Sequence, residues 1–228
     1  MKYLYLLLNI GSLAIPFLFS FHPKLKFYKL WKPLFIGTIL TMVIFIPWDV
    51  IFTNQGIWKF NDDYFLGITL LQLPMEEWLF FICIPYACVF THYALLHYFP
   101  QMSLAIPTTK ILSYTLIFIL ALLSIINYDK WYTLVNFILA VILISIVSTK
   151  NIKLLSEFYI TFLIILIPFF IVNGILTGSF IDSEVVWYNN SENLNIRLFT
   201  IPVEDMVYAF SMILMNLFIM KQVIAEKT

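Results

Sequence analysis

LPMEEWLFF, residues 73–81, places two adjacent carboxylates two and three positions after a proline, at the head of an apolar run. The pattern returns as IPVEDMVY at residues 201–208, with Glu204 lying 128 positions after Glu76. Proline suits the first position of a helix, and the helix dipole favours acids in the first turn. The acids could therefore be simple helix-start residues, but charge at membrane depth is costly and usually functional. The four acids singled out are Glu76, Glu77, Glu204 and Asp205.

The composition is that of an integral membrane protein. Of the 228 residues, 62% are hydrophobic and 11% are charged, and the mean hydropathy is +0.93, whereas soluble domains average about 25% charged residues. The formal net charge is zero, so nothing favours a nucleic-acid partner. The apolar N-terminal stretch has no small-residue cleavage site and is interpreted as a first span rather than a signal peptide. Cys83 and Cys88 are interpreted as buried thiols, not as a disulfide or a metal site.

Several apolar stretches are long enough to cross a membrane, which takes roughly 20 residues. Pro74 interrupts the longest of them, so residues 65–73 are expected to form a short interfacial or re-entrant piece. The predicted class is an all-α integral membrane protein with about seven transmembrane helices. The predicted spans are residues 3–21, 33–52, 74–97, 111–126, 131–147, 158–176 and 202–220.

The repeated motif indicates an internal duplication. We expect two parallel three-helix repeats, residues 1–100 and 131–228, joined by a linker with a connecting helix at residues 101–130. One connecting span gives both repeats the same orientation, as in proteins whose repeats are related by an axis along the membrane normal. Most Lys and Arg residues fall in loops on one side, which the positive-inside rule assigns to the cytoplasm, leaving the N-terminus outside. One pocket between the repeats could then use all four carboxylates.

The carboxylates are the main candidates for chemistry. Burial favours the neutral form of a carboxylic acid, and a second carboxylate nearby favours it further. A neutral acid beside a carboxylate is suited to giving and taking protons on an apolar substrate. The sequence has no glycine-rich phosphate loop, dinucleotide fingerprint or nucleophile elbow, so we expect neither a cofactor nor a metal.

Other polar and aromatic residues accompany the acids. Asp49 interrupts the end of the second predicted span, and Asn173 lies near the end of the sixth. Tryptophans near the acids could stabilise a cation with their ring faces, although packing alone would also explain them. The residues selected as substrate-binding or supporting are Asp49, Trp58, Asn61, Asn173, Trp187 and Arg197.

Several motifs resemble those of the small membrane lycopene cyclases, which occur as heterodimers in some bacteria and as fused chains in other bacteria, archaea and fungi. One set resembles one subunit of the heterodimer, and a second set, in the same order, resembles the other. The chain is therefore similar to the fused form over nearly its whole length. The first set is PWD at 47–49, GIWKFN at 56–61, LPMEEWLFF at 73–81 and IPY at 84–86; the second is NGILTG at 173–178, VWYN at 186–189 and TIPVED at 200–205.

The resemblance implies a reaction and a site. The family's proline-x-acid-acid motif carries over to Glu76 and Glu77 and to Glu204 and Asp205. Members cyclise an end group of lycopene or a related linear carotenoid by proton addition and removal, without net oxidation, most often giving a β-ionone ring. The resemblance thus implies a cofactor-independent isomerase, or intramolecular lyase, of carotenoid biosynthesis. It would be a multi-pass protein of the cell membrane, in contact with the lipid bilayer and able to form a homo-oligomer.

Two alternatives remain open at this stage. A membrane polyprenyl transferase would also bind a long apolar chain, but its diphosphate needs metal-binding acids and basic residues. Asp62 and Asp63 form the only aspartate doublet, and Arg197 is the only arginine. A non-enzymatic carotenoid-binding or transport protein is the second alternative. Transport would predict polar residues deep along several spans, and the first, fourth and fifth spans have almost none.

Overall fold

The computed structural model describes residues 1–225, and within this range the chain forms seven α-helices. Six are long and apolar enough to cross a membrane, which confirms the predicted all-α membrane class. The first helix has 16 residues and rises only about 24 Å, less than the hydrocarbon core of about 30 Å. The helices are α1 Leu4–Phe19, α2 Trp31–Gln55, α3 Met75–Tyr98, α4 Ile106–Ile126, α5 Trp131–Lys150, α6 Ile152–Leu176 and α7 Val203–Ala225, with a 3-10 turn at Phe27–Leu30.

Six short strands lie in the loops. They pair antiparallel as β1 with β4, β2 with β3, and β5 with β6. The strands are β1 Trp58–Phe60, β2 Thr69–Leu70, β3 Leu73–Pro74, β4 Val186–Tyr188, β5 Arg197–Leu198 and β6 Ile201–Pro202.

The segment before each acid pair is a β-hairpin, a structure that the sequence did not predict, and the interfacial or re-entrant position expected for residues 65–73 stays a prediction. Leu71 and Gln72 both adopt positive φ, at 53° and 67°, which is the geometry of a tight two-residue hairpin turn. Pro74 is the last residue of β3, and α3 begins one residue after it. The acids nevertheless lie in the first turn of α3, and the second acid pair lies likewise at the start of α7.

The two halves of the chain repeat the same contact between their first and third helices. Asn9 Nδ2 on α1 donates to the Glu76 carbonyl oxygen at 2.8 Å, and Asn136 Nδ2 on α5 donates to the Glu204 carbonyl oxygen at 2.7 Å. Pairing of β1 with β4 brings the ends of α2 and α6 together at one end of the bundle. The duplication with parallel halves and the boundaries at residues 1–100, 101–130 and 131–228 stay predictions, with which these contacts agree.

The contacts between the halves are unequal. α2 packs closely along α7, where a Cβ added to Gly37 would lie 2.8 Å from Asn216 Oδ1. α6 meets α3 more loosely, joined by the buried hydrogen bond between His92 Nδ1 and Thr161 Oγ1 at 2.8 Å. Helix α4 packs mainly on α5. The looser packing of α6 leaves space for a cavity between α1, α3, α6 and α7.

Candidate active site

A cavity of about 470 Å³ lies between α1, α3, α6 and α7. Its walls are mostly apolar side chains of these four helices. Its polar groups include three carboxyl groups, those of Asp49, Glu77 and Asp205, and no Lys, Arg or His is among the lining residues. Acids from both repeated motifs therefore reach one apolar cavity.

Glu77 and Asp205 are held by tyrosines from the first helix of each half. The Tyr5 hydroxyl on α1 donates to Glu77 Oε2. The Tyr132 hydroxyl on α5 donates to Asp205 Oδ1 at 2.5 Å, and the Tyr188 hydroxyl donates to Asp205 Oδ2 at 3.0 Å. The two carboxyl groups thus have fixed orientations towards the cavity before any substrate binds.

Tyr188 reaches Asp205 from β4, outside the helices. Burial and the neighbouring Asp205 carboxylate both raise the pKa of Tyr188 well above its usual value. The phenol therefore stays protonated at neutral pH and acts as a hydrogen-bond donor to Asp205.

Asp49, near the end of α2, is the third carboxyl group of the cavity. Its Oδ1 accepts a hydrogen bond from Trp58 Nε1 at 2.7 Å, and the same N–H also reaches Thr53 Oγ1 at 3.0 Å. Asp49 and Glu77 both line the cavity, and their carboxyl groups are close enough to interact electrostatically. No N–H or O–H group among residues 1–225 donates to the buried Asp49 Oδ2.

Glu76 and Glu204 do not line the cavity, although they belong to the same motifs. Consecutive helix residues point about 100° apart, so the neighbour of a cavity-facing acid is directed elsewhere. Glu76 Oε1 accepts the Leu66 N–H at 2.8 Å, and Glu204 Oε1 accepts the Leu194 N–H at 2.7 Å. Both side chains are completely buried. They fasten the chain that precedes each hairpin to the helix that follows it.

Of the six residues predicted to bind or support the substrate, the structure places three at the cavity and three away from it. Asp49, Trp58 and Asn173 line the cavity, whereas the other three do not. The Asn61 amide donates to Ser183 Oγ at 3.1 Å and joins the loops after α2 and α6.

Trp187 is directed away from the cavity and is 43% exposed. The strand register pairs Trp58 with Tyr188, and Lys59 with Trp187. Side chains alternate between the faces of a strand, so Tyr188 takes the inward position opposite Trp58. Tyr188 lines the cavity and Trp187 does not, so the role of Trp187 stays a prediction that the cavity does not support.

Arg197 supports the site from outside. Its guanidinium donates to the Thr200 carbonyl oxygen at 2.6 Å and to Asn190 Oδ1 at 2.8 Å. It also lies 5.9 Å from the centre of the Tyr188 ring. Arg197 thus holds the β5–β6 hairpin and packs beside a tyrosine that contacts Asp205.

Sequence reasoning missed Tyr5 and Tyr132. Both begin the same short pattern, YLLLN at residues 5–9 and YTLVN at residues 132–136, in which the asparagine is the one that binds the third helix. The pattern recurs at almost the spacing of the acid motif. A search for polar residues repeated within the first and fifth spans would have found it.

Aromatic rings surround the polar end of the cavity. Tyr132 and Tyr188 stack with centroids 5.8 Å apart, and Trp58 meets Tyr132 edge-on at 5.2 Å. Tyr208 also lines the cavity. Aromatic faces stabilise cations, so the arrangement combines carboxyl groups, an apolar cavity and rings suited to a positively charged intermediate.

Comparison with known proteins gives a consistent result for both halves. The family model described as lycopene cyclase matches residues 2–95 and 129–223, which contain α1, α2, α5 and α6 and nearly all of α3 and α7. A bifunctional lycopene cyclase/phytoene synthase of Leptosphaeria maculans is 36% identical over 62 residues, covering 27% of this chain and 10% of that protein. A protein of the same description from Arthroderma gypseum is 32% identical over 84 residues, 33% of this chain and 14% of that protein. The chain thus spans only a small part of these relatives, and no solved structure matches it.

Proposed function

This chain belongs to the lycopene cyclase family, and we propose that it closes the end groups of linear lycopene into β-ionone rings without net oxidation. The observation that carries the proposal is the meeting of Glu77 and Asp205, one from each motif, in a single apolar cavity. One acid can add a proton and another group can remove one, which a redox-neutral cyclisation requires. We place the protein in the cell membrane, with the carotenoid as its substrate.

The reaction uses one proton in and one proton out. A carboxylic acid protonates the terminal double bond and leaves a tertiary cation. The neighbouring internal double bond attacks this cation, so that a carbon–carbon bond closes the six-membered ring and the positive charge moves to a ring carbon. A carboxylate then removes a proton from the ring and a new double bond forms. No electrons are gained or lost overall.

The cavity is suited to each of these steps. Its apolar walls exclude water, which would otherwise capture the cation, and they strengthen electrostatic interactions inside. The rings of Trp58, Tyr132 and Tyr188 lie next to the carboxyl groups, where the cation would form. The carbon that loses its proton to the base determines where the new double bond lies and therefore the ring type. We propose the β type.

The substrate would enter from the lipid between α1 and α6. Leu7 and Ile15 on α1 and Ile171 on α6 line the cavity, yet they are 61%, 66% and 61% exposed. The cavity wall therefore continues onto the outer surface of the helix bundle. A carotenoid could place one end at the carboxyl groups while the rest of its chain stays in the bilayer.

Gly11 offers a test of this route. It lines the cavity, and a Cβ added there would meet no other atom within 4 Å. We expect Gly11→Phe to fill the entry and lower ring formation at least about 10-fold, equivalent to about 1.4 kcal/mol, while Gly11→Ala stays close to wild type. Pigment yield per amount of inserted protein measures both. Equal yields from the two variants would place the entry elsewhere.

The proposed function is tested by expression in a lycopene-accumulating host. Cells that produce the wild-type chain should convert lycopene into carotenoids with β-rings, separated by chromatography. Cells that carry the empty vector should keep linear lycopene. Unchanged lycopene beside correctly inserted protein would reject the proposal, and rings of another type would reject only the β assignment.

A further inference from the structure

We propose that Asp49 is a third acid of the reaction and shares one proton with Glu77, so that this pair is the proton donor and Asp205 the proton acceptor. The inference rests on the proposed function and deepens it, because it assigns the direction of proton transfer. Asp49 lies outside both repeated motifs, on α2, and no copy of the motif predicts it.

The proximity of the two carboxyl groups carries the first step. Asp49 and Glu77 are buried and both line the cavity, and their carboxyl groups are close enough to interact electrostatically. Two carboxylates this close cannot both stay ionised in a dry site, so one proton between them is the favoured state. A carboxyl O–H in the pair would also give a partner to Asp49 Oδ2, which has no donor among residues 1–225.

Asp205 is in a different environment. Each of its oxygens accepts a hydrogen bond from a phenol, Tyr132 at 2.5 Å and Tyr188 at 3.0 Å. Donors of this kind stabilise a carboxylate. Of the three cavity acids, Asp205 therefore has the environment best suited to a carboxylate that waits for a proton.

The second half of the chain lacks the additional acid. Helix α6 contributes Asn173 and Thr177 to the cavity, and none of its cavity-lining residues has a carboxyl group. The duplication thus supplied two acid motifs, but only the first faces a second carboxyl group. This difference between the halves gives one donor and one acceptor instead of two equivalent sites.

The proton transfers balance in this assignment. The pair gives its proton to the terminal double bond, which leaves two carboxylates beside the new cation. The cation and the second negative charge appear together, so they stabilise each other in the apolar cavity. After ring closure, Asp205 takes the ring proton, and exchange with solvent restores both groups.

Other titratable groups surround the pair and must be considered in any pH experiment. Tyr5 contacts Glu77 directly, and the tyrosines are protonated hydrogen-bond donors at neutral pH. Facing the pair from neighbouring elements are Tyr5 of α1, Tyr132 of α5, Tyr188 of β4, and Asp205 and Tyr208 of α7, with Arg197 beyond Asp205. Of these groups, only Asp205 is of a residue type that ordinarily titrates below neutral pH, whereas tyrosines ordinarily titrate well above it.

The test is the pH–rate profile of Asp49→Asn in lipid vesicles loaded with lycopene. An amide cannot share the proton, and its N–H favours the ionised form of Glu77. The variant should lose about 10²-fold in rate at pH 7 and recover part of it at lower pH. The basic limb of the profile, which is the fall in rate where the donor loses its proton, should move to lower pH by about one pH unit or more. A basic limb at the wild-type position would overturn the proposal.

Thr53→Val is the matched control. It removes the other acceptor of the Trp58 N–H and leaves Asp49 in place, so its basic limb should coincide with that of the wild type. A limb that moves as far as in Asp49→Asn would mean that Asp49 acts only by holding Trp58. Asp49→Glu keeps a carboxyl group and should retain the wild-type limb; if Asp49→Asn does not insert, a displaced limb in Asp49→Glu overturns the proposal.

Failure of this inference can be distinguished from failure of the proposed function. If wild-type vesicles form no rings, the proposed function is wrong. If the wild type forms rings and Asp49→Asn keeps both its rate and its profile, only the shared proton is wrong.

Discussion

Glu77→Gln should lower ring formation by about 10²–10⁴-fold, the range of general acid catalysis, while membrane insertion stays unchanged. Gln has nearly the shape of Glu and can still accept the Tyr5 hydrogen bond, but it cannot supply a proton at neutral pH. The first step would then be lost before any cation forms, and lycopene should accumulate without altered products. Pigment yield per amount of inserted protein is the measurement.

Glu76→Gln is the control for this variant, one residue away in the same helical turn. Glu76 accepts the Leu66 N–H and does not line the cavity. Its amide variant keeps that acceptor and loses only the negative charge at the helix start, so it should cost at most about 1 kcal/mol of stability, with turnover nearly intact. A strong loss in Glu76→Gln together with normal turnover in Glu77→Gln would reverse the assignment within the motif.

Asp205→Asn should also reduce formation of the β-ring about 10²-fold or more, but with a different product pattern. The donor pair remains, so the cation still forms and the ring still closes. Without a base, the ring cation has to lose its proton elsewhere or be captured by water, and we expect other ring isomers or hydroxylated end groups. Chromatography with mass spectrometry separates these products.

Glu204→Gln is the corresponding control, because Glu204 binds the Leu194 N–H and the Thr133 hydroxyl instead of facing the cavity. It should give the wild-type product pattern. If Asp205→Asn lowers the yield without changing the products, as Glu77→Gln does, Asp205 acts before the cation forms and is not the base.

The helical framework could be predicted from the sequence because the apolar spans and the repeated acid motif are strong signals. The hairpins could not, since residues 65–73 have an apolar pattern and form strands through a turn with positive φ at Leu71 and Gln72. An apolar composition does not distinguish a short re-entrant segment from a short hairpin. The offset of about 100° between neighbouring helix residues predicted that the two acids of each motif would differ, but not which one faces the cavity.

The remaining parts of the site depend on contacts between distant elements. Tyr5 and Tyr132 belong to spans whose lipid-facing and protein-facing sides look alike in composition. Tyr188 lines the cavity and its neighbour Trp187 does not, because the register of β1 with β4 decides which side chain faces inward. Asp49 on α2 and Glu77 on α3 line the same cavity, and no spacing within either helix predicts that they meet there.

The most direct test of the account is cyclisation of lycopene by the purified wild-type protein in D₂O, without added flavin or nicotinamide. Proton addition to the terminal double bond predicts rings that keep solvent deuterium at the carbon that was protonated, found by mass spectrometry and NMR. Rings that form without any deuterium, or that form only when a reduced cofactor is supplied and carry no solvent label, would contradict the acid–base mechanism.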